Sequence, residues 1–132
     1  MSDPLHCLSV RQPWARLLVH GFKDVENRTW KTHYRGPLLI HASKKTDLMM
    51  CEYYSRANPE YGIPATGDLP LGAIVGAVDL VDCTQRITSG WHELGCWGWY
   101  VENPRVLSTP IPYRGQLGLY LVPADQIEGD LL

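Results

Sequence analysis

Ten prolines and twelve glycines are spread along the whole of this 132-residue chain, and that punctuation limits what it can fold into. Proline removes a backbone donor and glycine weakens both helix and strand, so the chain reads as many short elements joined by turns. With 45% hydrophobic residues it is long enough to bury one core and too short for two ordinary domains, so residues 1–132 are expected to form one domain. The charged fraction of 20% and the absence of low-complexity runs fit a folded globule and not a disordered tail.

Between the breaks, periodicity assigns the elements. "CLSV" (7–10) is a short strand, followed by a helix over "RQPWARLLVHG", with Pro13 in the first turn, Gly21 at the C-terminal cap and an apolar stripe of Trp14, Leu17 and Leu18. "VENRTW" (25–30) and "PLLIHAS" (37–43) read as strands, and 46–58 as a second helix capped by Thr46. A Pro- and Gly-rich surface loop follows over 59–71, of a length that is often functional or mobile. "AIVGAVDLVDCT" (73–84) is the strongest strand, with a bulge or bend expected at Gly76, and three more are expected over 96–103, 105–113 and 117–122. Many short strands with two early helices predict an α+β fold, a curled or closed sheet with helices at its ends.

The bulk numbers narrow the function classes. No segment approaches the ~18 apolar residues of a membrane span, and "MSDPLHCL" has no signal-peptide pattern, so a cytoplasmic protein is expected. Cys7, Cys51, Cys83 and Cys96 form no C-x-x-C pair and read as reduced structural thiols; no metal site and no cofactor are expected. A net charge of −2 and a pI near 6.2 argue against gripping long nucleic acid through a globally basic surface. The charge is uneven, however. Residues 28 to 45 hold Arg28, Lys31, Arg35, Lys44 and Lys45 and no acid, whereas Asp125, Glu128 and Asp130 load the C-terminus. That stretch reads either as a local positive patch or as a solvated face of a strand pair.

The stretch "GFKDVENR" (21–28) carries the densest chemistry. In an extended strand Glu26 and Arg28 share a face while Val25 and Asn27 point away, and Lys23, in the turn before it, is free to approach the same face. The alternative is an ordinary surface ion pair. On the next strand His41 and Ser43 share a face with Leu39, opposite Leu38, Ile40 and Ala42; His41 reads as a hydrogen-bonded structural residue or as a base. Trp97 and Trp99, on one strand face with Val101, read first as core. Trp14 is the candidate for stacking on a base, and Gln12, with a donor and an acceptor on one amide, for reading a base edge.

The ordered set of segments resembles a known family. "LSVRQPWARLLVHGFKDVENRTWKTHYRGPLLIHASKK" is similar to the start of the ASCH (activating signal cointegrator homology) superfamily, whose pattern G-x-K-x-x-E-x-R is matched by Gly21, Lys23, Glu26 and Arg28. With "GAIVGAVDLVDC" and "PIPYRGQLGLYLV", the resemblance covers nearly the whole chain and looks most like the branch of the endothelial-overexpressed lipopolysaccharide-associated factors. It implies a PUA-like fold, a small β-barrel with flanking helices, and recognition of single-stranded RNA or a modified nucleoside in a cleft lined by the motif. Some relatives hydrolyse N4-acetylcytidine, and ribonuclease activity has been proposed for others. In those amidohydrolases a threonine stands where this chain has Glu26, and a distant glutamate, which no later residue here matches, completes the set with the lysine.

Three readings follow, in this order. The first is a module binding an RNA base or modified nucleoside, with Lys23 and Arg28 on phosphate or carbonyl, Glu26 and Gln12 on base edges, Trp14 stacking, and His41 and Ser43 as further ligand contacts. The second is a nucleoside amidohydrolase. A carboxylate beside Lys23 is expected to raise its pKa, which favours Glu26 as the base for a water and Lys23 as the oxyanion donor. The third is a protein-interaction domain using the 59–71 loop, its partner unknown.

Overall fold

A computed structural model describes residues 3–127, so Glu128 and Asp130 of the acidic C-terminal group lie outside the described residues. Its main elements are β1 (Leu5–Gln12), α1 (Trp14–Val19), β2 (Val25–Arg28), β3 (Gly36–Thr46), α2 (Leu48–Ala57), β4 (Ala73–Thr84), β5 (Trp97–Pro112) and β6 (Leu119–Val122). The strands form one sheet in the order β2-β5-β4-β3-β1-β6, in which β1 and β3 are parallel and every other pair is antiparallel. This is the α+β class expected. The barrel is open: β2 and β6 end the order without pairing, and the guanidinium of Arg28 on β2 reaches the backbone of β1 at Ser9, at 2.7 Å.

Strand alternation sorts the side chains onto two faces. Leu8, Val10, Leu38, Ile40 and Trp99 bury the inner face against Leu18 of α1. Cys7, Leu39, Ile74, Tyr120 and Val122 pack on the outer face. Trp99 is fully buried, so truncating it to alanine is expected to cost about 3–5 kcal/mol. A third cluster, Leu17, Cys51, Tyr54 and Ile63, joins the two helices to the 59–71 loop. That loop is tied down, since Arg16 Nε donates to the Tyr61 carbonyl at 2.8 Å and Gln12 Nε2 to that of Pro70 at 3.0 Å.

Local chemistry moves some boundaries from their sequence positions. Pro13 precedes the first residue of α1, whose free N–H at Arg16 is satisfied by Gln12 Oε1 at 3.0 Å. Gly21, at φ +82°, turns the chain out of the helix as expected. Asp47, and not Thr46, caps α2, its carboxylate accepting from the Met50 N–H at 3.1 Å, while Thr46 ends β3. The strands expected over 96–103 and 105–113 are one strand. The ladder with β4 steps from Asp79↔Glu102 to Ala77↔Arg105, and the irregularity absorbs Asn103, at φ +52°, and the missing donor of Pro104. Gly76 lies at the expected bulge, and a Cβ there would sit 2.2 Å from the Arg105 carbonyl oxygen and 2.8 Å from Val19, so α1 seats directly on β4.

Candidate functional site

Lys23 leaves the turn after α1 with its N–H donated to the Leu17 carbonyl at 3.0 Å, which sends the side chain back beneath the helix. Its ammonium donates to the Val25 carbonyl and lies 3.4 Å from Glu26 Oε1. From the other side Arg28 holds Glu26 Oε2 at 3.0 and 3.1 Å through Nη2 and Nε. In the β2–β5 register Glu26 lies opposite Trp99 and Arg28 opposite Trp97, which places the carboxylate and guanidinium at the rim of the inner core. The three side chains are 5%, 12% and 23% exposed, so the ordinary surface ion pair is excluded. Trp14 and Trp91, both partly exposed, flank the ammonium, with ring centroids 5.7 and 6.0 Å from Nζ.

Burial sets the electrostatics of the cluster. The Lys23 pKa is lowered, with loss of hydration the largest cause; Glu26 and Glu93 oppose the shift and Arg28 adds to it. The expectation that Glu26 would leave Lys23 with a raised pKa therefore fails, because desolvation outweighs the carboxylate. Glu93 is the residue that the sequence reading missed. It lies on the β4–β5 loop, where its N–H is held by Asn27 Oδ1 at 2.8 Å while Asn27 Nδ2 donates to the Trp91 carbonyl at 2.8 Å. Asn27, on the opposite side of β2 from Glu26 and Arg28, thus anchors the loop that brings Trp91 and Glu93 to the lysine. Sequence carried no signal for this, since Trp91 and Glu93 follow the motif by more than sixty residues and meet it only because β5 returns along β2.

The remaining predicted site residues divide. Trp14 joins the motif and meets Tyr54 edge-on at 5.9 Å. Gln12 is 1% exposed with both ends of its amide engaged by the fold, as described above, which leaves it no base edge to read. His41 and Ser43 lie on the outer face, away from the charged triad, and line a cavity of about 910 Å³ with Ser9 and Lys44. The five cations of the acid-free stretch do not gather either: Lys31 sits 5.4 Å from the Trp97 ring, Arg35 is 3.8 Å from Asp82, and Lys44 belongs to the outer cavity. Beside Lys23, against Gly21, Asp24 and Pro104, there is a void of only about 60 Å³.

His41 is 2% exposed and fully bonded, its Nε2 to the Tyr113 carbonyl at 2.8 Å and its Nδ1 to Ser9 Oγ at 2.9 Å. A carbonyl only accepts, so Nε2 carries the proton and, in the neutral ring, Nδ1 accepts from the Ser9 hydroxyl. Ser9 Oγ in turn accepts from Tyr120 Oη at 2.9 Å, and Tyr120 meets the thiol of Cys7. Burial pushes that thiol up to about 11, which keeps it protonated. All four cysteines are free thiols. Among the described residues no group of three or more His, Cys, Asp or Glu side chains is arranged to hold a metal ion, and no helix is long and apolar enough to cross a membrane.

The ASCH domain family model matches residues 8–114, a span that takes in the charged triad together with Ser9 and His41 and leaves out Cys7, Tyr120 and the rest of β6. The chain is 42% identical over 86 residues to Activating signal cointegrator 1 from Homo sapiens, a match covering 61% of this chain and 14% of that protein. The Mus musculus protein of the same name is 41% identical over 86 residues, with the same coverage. This chain therefore corresponds to a small part of those relatives, and with a family match running from β1 through the motif to the end of β5, it belongs to the ASCH domain family.

Proposed function

We propose that this chain is a nucleic-acid-binding module, one ASCH unit that holds a base or modified nucleoside of single-stranded RNA at the Lys23–Glu26–Arg28 cluster. The observation carrying the reading is the sheltered triad set between the partly exposed rings of Trp14 and Trp91. Three charges kept from solvent at a rim of aromatic rings are costly unless something uses them. A base stacks on Trp14 or Trp91 while Lys23 and Arg28 meet a carbonyl or phosphate and Glu26 accepts from an exocyclic amine. The void of about 60 Å³ beside Lys23 has room for about two waters and not for a base, so the base sits on the tryptophan side. Titration of a labelled single-stranded RNA at several salt concentrations tests this. With Lys23 and Arg28 the two cations of the site, log affinity should fall with log salt at a slope no steeper than about −1.4, and a slope of zero removes the phosphate contacts. We place the protein in the cytoplasm and in the branch resembling the endothelial-overexpressed lipopolysaccharide-associated factors.

A second reading, hydrolysis of an acylated nucleoside such as N4-acetylcytidine, is favoured by two particulars: the lowered pKa of Lys23 and the approach of Glu93. A lysine whose charge is disfavoured by burial is better suited to take a proton than a solvated one, and Glu93 or Glu26 can activate a water. Mass spectrometry decides between the two. Cytidine appearing from N4-acetylcytidine above a heat-killed control, and vanishing in Lys23→Ala, establishes hydrolysis; its absence at high enzyme concentration leaves binding alone.

A further inference from the structure

We propose that the cavity on the outer face is a second ligand site, one that takes a phosphate monoester of about mononucleotide size. At about 910 Å³ it falls within the ~300–1,000 Å³ typical of small-molecule sites, far more than the void beside Lys23. No Asp or Glu lines it, whereas Lys44 and Arg114 do, and neither cation has a carboxylate partner among the described residues. Ser43, which also lines it, has an Oγ shut off from solvent without a hydrogen-bond partner. A buried hydroxyl left unpaired is a cost to the empty protein that a ligand would remove.

The floor sharpens the chemistry. The relay described above commits the Ser9 proton to His41, so Ser9 has no hydrogen to offer a ligand. The available donors are the Ser43 hydroxyl, the Gln116 amide, the Lys44 ammonium and the Arg114 guanidinium. Several donors, two of them charged, from β3 on one side and the 114–116 segment on the other suit the oxygens of a phosphate better than the two of a carboxylate. Tyr113 supplies an apolar wall for the rest of the molecule. Gly115 holds the segment close: a Cβ there would lie 2.8 Å from His41 Cε1 and 3.0 Å from Ser9 Oγ, so no larger residue permits this approach.

Calorimetric titration of the purified chain with adenosine 5′-monophosphate, inorganic phosphate and adenosine tests the assignment. The nucleotide should bind at least about tenfold more tightly than either fragment, and Arg114→Ala should weaken it about tenfold while Glu52→Gln on α2, outside both sites, leaves it unchanged. Ser43→Ala gives an independent signature, because removing the unpaired hydroxyl should raise the melting midpoint of the empty protein yet shrink the shift that the nucleotide produces. No binding at about 5 mM nucleotide, equal affinity for adenosine, or an affinity that Arg114→Ala leaves unchanged overturns the proposal. So does a Ser43→Ala protein whose empty midpoint falls or whose nucleotide-induced shift is unchanged.

Discussion

The charged triad on the inner face and the neutral relay on the outer face share one residue and little else. Ser9 gives its carbonyl to Arg28 on the inside and its hydroxyl to His41 on the outside, so the two clusters are separated by the backbone of β1. The inner cluster is assembled within six residues of sequence, by one helix exit and one two-residue strand period. The outer one joins Cys7, Ser9, His41 and Tyr120, which meet because β1 lies between β3 and β6 in the sheet. The inner cluster holds formal charges at partial burial and must keep them balanced; the outer one holds neutral groups in which each proton already has its place. Their failure under mutation should therefore differ in kind.

Of the two clusters, the inner one should show the larger effect, at Glu26. Glu26→Ala leaves two cations facing each other at a site where Lys23 is 5% exposed, and urea denaturation should show a loss of about 3 kcal/mol. The exposed Arg56–Glu52 pair on α2 provides the contrast, since Glu52→Gln should change stability by no more than about 0.5 kcal/mol. If both substitutions proved equally mild, the inner charges would be solvated and the site reading would fail with them.

Tyr120→Phe probes the other side. It removes one hydroxyl and leaves the Cys7 thiol and a Ser9 lone pair unmatched, for an expected loss of about 1–2 kcal/mol. RNA affinity at the inner face should not move, because nothing charged changes and Arg28 still finds the Ser9 carbonyl. A parallel drop in RNA affinity would mean that the two faces communicate through β1.

How much of this was legible in the chain depends on how far apart the partners are. Strand parity alone gives the common face of Glu26 and Arg28 and the separation of His41 and Ser43 from Leu38, Ile40 and Ala42, because each is a local property of alternation, whereas Lys23, in the turn before the strand, is free to approach and is not fixed there. Which sheet face belonged to which cluster was not local, so His41 and Ser43 were grouped with the motif that they turn away from. Gln12 misled for a similar reason: its amide suits a base edge, but the unsatisfied start of α1 and the Pro70 carbonyl claim it first. The β5 strand ran through Pro104 because a bulge, invisible in periodicity, absorbed the missing donor. Glu93 was hidden by a loop whose position depends on Asn27, one of the unspecified positions of the motif.

The smallest effect is a difference in pH dependence, and it separates the faces by sign. The Lys23 ammonium is disfavoured by burial, so its pKa in the folded protein lies below its unfolded value near 10.5. In the window between those two values the unfolded chain binds the extra proton, and the contribution of Lys23 to stability rises with pH. Cys7 does the reverse. Its folded pKa of about 11 lies above the unfolded value of 9.0, so the unfolded chain loses the proton first and stability falls as pH rises from about 9 to 11. Wild-type stability thus mixes opposing slopes, and only difference curves resolve them. Subtracting Lys23→Met from wild type should leave a rising alkaline limb, and subtracting Cys7→Ala a falling one, each followed by urea denaturation in steps between pH 8 and 11. A falling limb for Lys23 would mean that the carboxylates win after all, and the lysine would then be a fixed cation suited to binding and unsuited to taking a proton.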